Sequence, residues 1–349
     1  MNVTVALSER SYDVVLRDGA RHDLAQLLAT RAPRAQSAVI VTSHALVAQP
    51  WFTLETGLDQ HVLEVPDGES AKNFGALEIL CEQFAHLQLS RHDVIVGVGG
   101  GAITDLAGFA AAVYLRGIGV VQVPTSLVGQ VDAAIGGKTG INLRAGKNLV
   151  GAFHQPLGVL CDFEVLDTLP ERERLSGLGE VAKCWLLDGR PANEITTASR
   201  AELITMSVRL KADIVSSDEL EGGRRALLNY GHTLAHALEA LALARGVDEM
   251  RHGEAVAIGL AFAARLAEQL GRIGEDEVAH HDDVLKSLGL VGALRTDFAT
   301  REVLDVMSRD KKAHHDLTFV LASARGFDVV SGVDPSVVGE VLDNFRGES

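Results

Sequence analysis

One segment constrains this chain more than any other: Val94-Ile95-Val96-Gly97-Val98-Gly99-Gly100-Gly101-Ala102-Ile103-Thr104-Asp105. The β-branched run reads as a buried strand, and residues 105–115 carry the apolar content of a helix. Glycines between the two allow a tight turn and close backbone approach to a pyrophosphate, backed by the free amides and positive dipole of a helix N-terminus. The spacing departs from GxGxxG, so the motif alone leaves a dinucleotide site and a structural turn both open. A second turn, Pro124-Thr125-Ser126, follows the next apolar run and offers hydroxyls to the same ligand or simply caps a helix.

The surrounding rhythm extends this unit into a domain. Residues 3–16 alternate as a hairpin, residues 24–29 and 74–89 read as helices, and residues 38–41, 62–65 and 120–123 read as strands. Short strands alternating with helices predict a parallel sheet. Beyond Cys161 strand signals become rare, and residues 226–244 and 254–270 carry helical periodicity; residues 317–322 read as one late strand and 336–345 as the last helix. The expected fold class is therefore an α/β, Rossmann-like nucleotide-binding domain over residues 1–160, followed by a mostly α-helical domain over residues 161–349.

Composition narrows the function. The 349 residues carry a net charge of −15, with no polybasic run, which argues against nucleic acid or an anionic membrane as partner. Three cysteines without a CxxC pair suit a reducing compartment, and the N-terminus lacks a signal-peptide pattern, so a cytoplasmic location is expected. Of 32 basic residues only eight are lysine. Arginine replaces lysine as a surface charge but not as a compact point charge, which makes each lysine a candidate for a site.

Two lysines fall in a Gly-rich stretch, Asp132-Ala133-Ala134-Ile135-Gly136-Gly137-Lys138-Thr139-Gly140-Ile141-Asn142, continued by Gly146-Lys147-Asn148. The stretch is not a P-loop, since its glycine spacing is wrong, and reads as an anion pocket or a solvated loop. A third constellation joins Glu180 in Gly179-Glu180-Val181-Ala182-Lys183 to His232, His236 and His252. Imidazoles plus a carboxylate form a common zinc set, although spacing does not say which three ligate and would favour His232 with His236, an i, i+4 pair. Lys183, three residues after Glu180, shares its helix face.

These segments are recognisable together. The chain resembles the dehydroquinate synthase family of sugar-phosphate cyclases over nearly its whole length, through Gly99-Gly100-Gly101 with Asp105, Pro124-Thr125-Ser126, residues 131–142, Gly146-Lys147-Asn148, Gly179 to Lys183, Leu228 to His236, His252-Gly253-Glu254, and Asp310-Lys311-Lys312. The resemblance implies NAD and zinc (or cobalt) as cofactors, with Glu180, His232 and His252 as metal ligands and His236 as an acid/base group. It implies NAD contacts from Glu69, Lys72, Gly100, Gly101, Asp105, Thr125, Ser126 and the position of Ser43. Asp132, Lys138, Asn148, Lys183, Lys211, Arg225, Asn229 and one of Lys311 and Lys312 would hold a phosphorylated sugar acid, with Lys147 close by. Arg116 would reach the phosphate from a neighbouring subunit, so a homodimer is expected. The implied reaction is a lyase reaction: transient oxidation by NAD, phosphate elimination, re-reduction and intramolecular aldol closure.

Departures bear on the substrate. Asn229 and His236 are intact, which favours a heptulosonate over the sedoheptulose phosphate used by valiolone-type relatives. The stretch from Lys183 to Lys211 is shorter than expected of a dehydroquinate synthase and looks more like aminodehydroquinate synthases; the substrate is thus 3-deoxy-arabino-heptulosonate 7-phosphate or its amino analogue. Ser43 stands where the family often carries an Asp for the adenosine ribose. The rival readings are a metal-dependent, glycerol-type alcohol dehydrogenase and a member of the family without catalysis.

Overall fold

Apolar residues on both faces of the short strands oblige the first part of the chain to bury a sheet between two layers. The computed structural model, which describes residues 1–144, 146–246, 250–290, 298–309 and 317–347, realises this in a unit formed by Met1–Pro170 together with Val208–Leu220. In chain order its elements are β1 (Asn2–Val5), β2 (Tyr12–Arg17), α1 (Leu24–Arg31), β3 (Ser37–Ser43), α2 (His44–Val47), β4 (Asp59–Val65), α3 (Phe74–His86), β5 (Val94–Gly99), α4 (Gly101–Val113), β6 (Gly119–Pro124), β7 (Lys138–Leu143), β8 (Gly146–Phe153) and β9 (Gly158–Asp162). Seven strands form one sheet in the order β1-β2-β9-β6-β5-β3-β4, parallel except for the β1/β2 hairpin.

Period-two alternation divides the core. Val39, Val41 and Ile95 meet α3 and α4 through Leu77, Leu80, Phe84 and Leu106. Ala38, Ile40, Val94, Val96 and Val98 pack on the opposite face with Leu24, Leu28 and Trp51. From β3 the chain moves outward to β4, and from β5 it moves the other way to β6. The order therefore reverses between β3 and β5, and their carboxyl ends, Ser43 and Gly99, bound the crevice where open α/β sheets take ligands.

In this unit two segments differ from the sequence expectation. α4 begins at Gly101, not near residue 105, because the glycine turn itself forms the first helical turn with Gly100 as an extended N-cap. The Gly-rich stretch after residue 136 is no loop: β7 and β8 pair antiparallel, with Gly140 opposite Gly151. A Cβ on Gly140 would lie 2.7 Å from the Val150 carbonyl oxygen, and one on Gly151 would lie 2.1 Å from that of Thr139. Glycine here serves close strand approach, a role that composition does not distinguish from a flexible loop.

The second unit comprises Glu171–Ser207 and Glu221–Ser349. Its elements are α5 (Glu171–Leu187), α6 (Ala192–Ile195), α7 (Arg200–Ser217, of which the residues from Val208 onward belong to the first unit), α8 (His232–Ala244), α9 (His252–Gln269), α10 (Glu275–Ser287), α11 (Thr300–Arg309), the antiparallel hairpin β10 (Leu317–Ser323) and β11 (Gly326–Val333), and α12 (Pro335–Gly347). The helix expected from residue 226 starts only at His232, because Arg224–Asn229 form tighter 3₁₀ turns and Gly231 adopts φ +77°. No helix among the described residues is long and apolar enough to cross a membrane.

One buried ion pair ties the first unit together. Asp162, at the end of β9 and fully buried, accepts hydrogen bonds from the Gly19 and Glu164 amides at 2.9 and 3.0 Å and from the Arg21 guanidinium at 2.5 Å. Removing the carboxylate leaves the buried Arg21 paired only with the half-exposed Glu164, at 2.8 Å, and takes the acceptor from the Gly19 and Glu164 amides. Asp162→Ala is expected to lower unfolding free energy by about 3–5 kcal/mol in urea titration.

Candidate active site

Close helix contacts assemble a histidine–carboxylate cluster in the second unit. At Gly179 of α5, an added Cβ would fall 2.2 Å from the Gly253 carbonyl oxygen; at Gly253 of α9, it would fall 1.6 Å from that of Ser176. The Gly253 amide also donates to Ser176 Oγ at 3.1 Å. Only glycines allow α5 and α9 this approach, and each is followed or preceded by a candidate metal ligand, Glu180 and His252. Six residues further along α9, a Cβ on Gly259 would lie 2.0 Å from the Gly231 carbonyl oxygen, which seats the start of α8, and with it His232, against the same helix.

As a result Glu180, His232 and His252 each offer a ligand atom, all within 4.8 Å of one another. Both imidazoles turn Nε2 toward Glu180 Oε1, at 3.4 Å for His232 and 2.9 Å for His252. Their other nitrogens are engaged: His232 Nδ1 bonds the Tyr230 carbonyl oxygen at 3.0 Å, and His252 Nδ1 bonds Glu239 Oε2 at 3.1 Å. This arrangement fixes tautomer and ring orientation in metal-binding histidines. The i, i+4 pair His232 and His236 favoured by spacing does not converge in this way. The His236 ring stands 5.3 Å from His232 and 6.5 Å from His252, at the exposed edge of the cluster, because His252 takes the inward place from α9.

The electrostatics suit a cation. Burial works to raise the Glu180 carboxyl, but the Lys183 ammonium at 2.5 Å and the two histidines hold it well below the usual carboxylate range. Burial likewise opposes the charged form of His252, yet its hydrogen bonds to Glu180 and Glu239 push its pKa up to about 10. Where two carboxylates retain a proton this strongly, a divalent ion competes for the same place. Lys183 is buried beside Glu180 as their i, i+3 spacing predicts, Arg225 is buried on the 3₁₀ segment, and Asn229 donates to Glu221 Oε1 at 3.2 Å.

The first unit holds the expected nucleotide turn. The Thr125 amide donates to the Gly99 carbonyl oxygen at 2.9 Å, and the Gly129 amide donates to Ser126 Oγ at 3.1 Å, so Ser126 does cap the following turn. Its hydroxyl nevertheless borders the glycine turn, where a Cβ on Gly100 would lie 3.2 Å from Ser126 Oγ and one on Gly101 would lie 3.1 Å from Ala133 Cβ. Ser43 is buried at the end of β3. Beside the turn, the buried Lys72 ammonium donates to Asp105 Oδ2 at 2.6 Å and to Asn148 Oδ1 at 2.5 Å. Asn142 joins Asn148 to Glu69, accepting from the Asn148 amide at 2.8 Å and donating to Glu69 Oε2 at 2.6 Å. Burial pushes the Asp105 carboxyl up to about 6 despite the opposing lysine.

Lys211, on the part of α7 that belongs to this unit, donates to the carbonyl oxygen and Oδ1 of Asp132 on a π-helical turn, both at 2.5 Å. Lys138 and Lys147 are exposed on β7 and β8. Arg116 is exposed on the turn after α4, where Leu115 and Arg116 hold φ of +49° and +66°. Lys311 and Lys312 lie outside the described residues.

Glu239 and Glu221 escaped the sequence reading, and Asn142 stood in it only as the end of the Gly-rich stretch. Glu239 follows His232 by seven residues and His236 by three, so a search for polar side chains on the histidine face of α8 would have found it. Glu221 and Asn142 left no comparable signal, since each acts through a partner distant in the chain or across a loop.

Comparison with known proteins matches two family models, 3-dehydroquinate synthase N-terminal over residues 62–176 and 3-dehydroquinate synthase C-terminal over residues 177–313. A protein of Amycolatopsis mediterranei (strain S699), proposed to be an aminodehydroquinate synthase, is 48% identical over 347 residues, covering 99% of this chain and 95% of its own. A 3-dehydroquinate synthase of Nitrobacter hamburgensis is 41% identical over 367 residues, covering 98% of this chain and 95% of its own. The solved 2-epi-5-epi-valiolone synthase of Streptomyces hygroscopicus, with NAD+ and Zn2+ bound, is 25% identical with a TM-score of 0.82, covering 99% of each chain.

The glycine contact between α5 and α9 is testable. Gly253→Ala sets a methyl group against backbone oxygen, which cannot rotate away. It is expected to cost about 1–3 kcal/mol of stability in denaturant unfolding and to weaken Zn2+ binding about 10-fold or more in chelator competition.

Proposed function

Because the chain belongs to the 3-dehydroquinate synthase family, a family of lyases, we propose that it cyclises a phosphorylated seven-carbon sugar acid with loss of phosphate, using NAD and a divalent metal. The observation that carries this reading is the convergence of Glu180, His232 and His252 with both outer imidazole nitrogens already engaged. The donor set suits Zn2+ or Co2+, and the glycine turn at Gly99 to Gly101 suits a pyrophosphate. Bound there, the metal supplies polarisation of a substrate oxygen and NAD supplies a reversible hydride acceptor.

The chain's own residues supply the rest. On the family resemblance, Lys183, Arg225, Lys211, Lys138 and Lys147 are assigned to the carboxylate, the phosphate and the negative charge that develops as phosphate departs. Orientation of this charge is prearranged: Asp132 holds Lys211, and Glu180 holds Lys183. His236, at the exposed edge of the imidazole cluster, is the group assigned to proton exchange with the substrate. Glu69, Lys72, Asp105, Thr125 and Ser126, with Ser43 at the end of β3, are assigned to the cofactor on the family resemblance.

The amino analogue of the heptulosonate is the favoured substrate. The 48% identical relative aligns over 347 residues, whereas the Nitrobacter enzyme needs 367 for nearly the same share of this chain, more positions than the chain has. That difference accords with the short stretch between Lys183 and Lys211. Phosphate release from the amino and plain 3-deoxy-heptulosonate 7-phosphates, measured side by side with NAD and Zn2+, is expected to be faster for the amino compound and to leave no net NADH. Steady accumulation of NADH would instead support the alcohol dehydrogenase reading, and no phosphate from either compound would end the cyclase reading.

A homodimer accords with the turn after α4, where strained, exposed Arg116 is flanked by exposed Val113 and Leu115. With Arg116 serving the neighbouring subunit's site, Lys183→Ala and Arg116→Ala proteins are each inactive. Mixing and refolding them together is then expected to restore activity, since one of the two sites in a mixed dimer is intact. No recovery in a mixture shown to contain mixed dimers would show that Arg116 does not serve the neighbouring subunit's site.

A further inference from the structure

Behind the cluster lies a second buried histidine that the proposed reaction does not use. His281, on α10, and Tyr230, in the turn before α8, are both fully buried, and the tyrosine hydroxyl bonds His281 Nε2 at 2.8 Å. His281 Nδ1 bonds the Glu277 carbonyl oxygen at 2.7 Å. A carbonyl oxygen only accepts, so Nδ1 carries the proton, Nε2 presents its lone pair, and the tyrosine hydroxyl donates. Burial also holds this imidazole below its ordinary pKa, in keeping with the neutral ring.

Tyr230 is the residue whose main-chain carbonyl orients His232. Its ring packs edge-on against Phe327 at 4.8 Å, and the next residue, Gly231, is wedged so that a Cβ would lie 3.0 Å from the Leu260 amide. The turn thus has contacts on two sides, and the hydroxyl adds a directional link to a third element, α10. Apolar residues of similar shape would fill the same space without the desolvation cost of a phenol and an imidazole. What the polar pair adds is a single position for Tyr230, and therefore for the carbonyl that sets the His232 ring.

We propose that His281 is a positioning residue for the metal centre, acting through the Tyr230 hydroxyl to hold the carbonyl that orients His232. The proposal rests on the metal reading above, and its test separates the two. Zn2+ affinity is measured by chelator competition, and ligand geometry by the visible absorption of the Co2+-loaded protein, for wild type, Tyr230→Phe, His281→Leu, the double variant and His281→Gln.

Tyr230→Phe and His281→Leu are each expected to weaken Zn2+ binding about 10-fold and to shift the Co2+ spectrum. The double variant should be no weaker than either, because both substitutions break one link. His281→Gln, whose amide can accept from the hydroxyl and donate to the Glu277 carbonyl, should recover most of the affinity. Should His281→Leu fail to fold, Tyr230→Phe, which removes one oxygen atom, decides the matter. Variants that lose thermal stability but keep wild-type Zn2+ affinity and Co2+ spectrum would show the pair to be packing alone and overturn the proposal. Failure of the wild type to bind Zn2+ would overturn the metal reading and this proposal with it.

Discussion

The arrangement of the second unit depends on how closely α9 lets other backbone approach it. Gly253 meets α5 at Ser176 and Gly179, and Gly259 meets the turn at Gly231, with no room for a Cβ at Gly179, Gly253 or Gly259. Ordinary side chains hold helix axes about 8–10 Å from one another. The glycine contacts remove that spacing. Three ligand atoms from three helices consequently lie within 4.8 Å, and the histidine orientations are then set by the Tyr230 carbonyl and by Glu239. Small residues in this helical unit do the work that loops do in many other sites.

A related economy governs charge. The molecule is acidic overall, and three of its eight lysines sit where a compact cation has a definite partner: Lys72 between Asp105 and Asn148, Lys183 on Glu180, Lys211 on Asp132. Each is buried, so each interaction is less screened than a surface pair and each ammonium is held in one orientation. Preorganisation of this kind matters more for a reaction that builds up negative charge than the number of positive groups does.

How much of this was legible beforehand differs by residue. Strand β5, helix α4 and the glycine turn between them follow from periodicity and glycine placement, which are local properties. Lys183 beside Glu180 follows from helical spacing. The choice of His252 over His236 does not, because a helix pattern places His232 and His236 on one face yet says nothing about which neighbouring helix enters that face. The β7/β8 hairpin was hidden for a similar reason: its glycines are required by backbone contact across strands, and in the sequence they resemble those of a flexible loop. Nor does anything local mark Val208–Leu220 as part of the first unit, although Lys211 finds Asp132 there.

The sequence by itself determined the kind of protein: an α/β unit with a phosphate-suited glycine turn, a helical unit with a histidine and glutamate inventory, and motifs resembling one family of cyclases. These are matters of composition, period and order, which the chain carries before it folds. Tertiary structure alone decided which groups meet. It set Glu239 behind His252, Asn142 between Glu69 and Asn148, and Tyr230 between His281 and His232. Each of those contacts joins residues across a turn or between different elements, and its geometry depends on the distance of approach that packing permits.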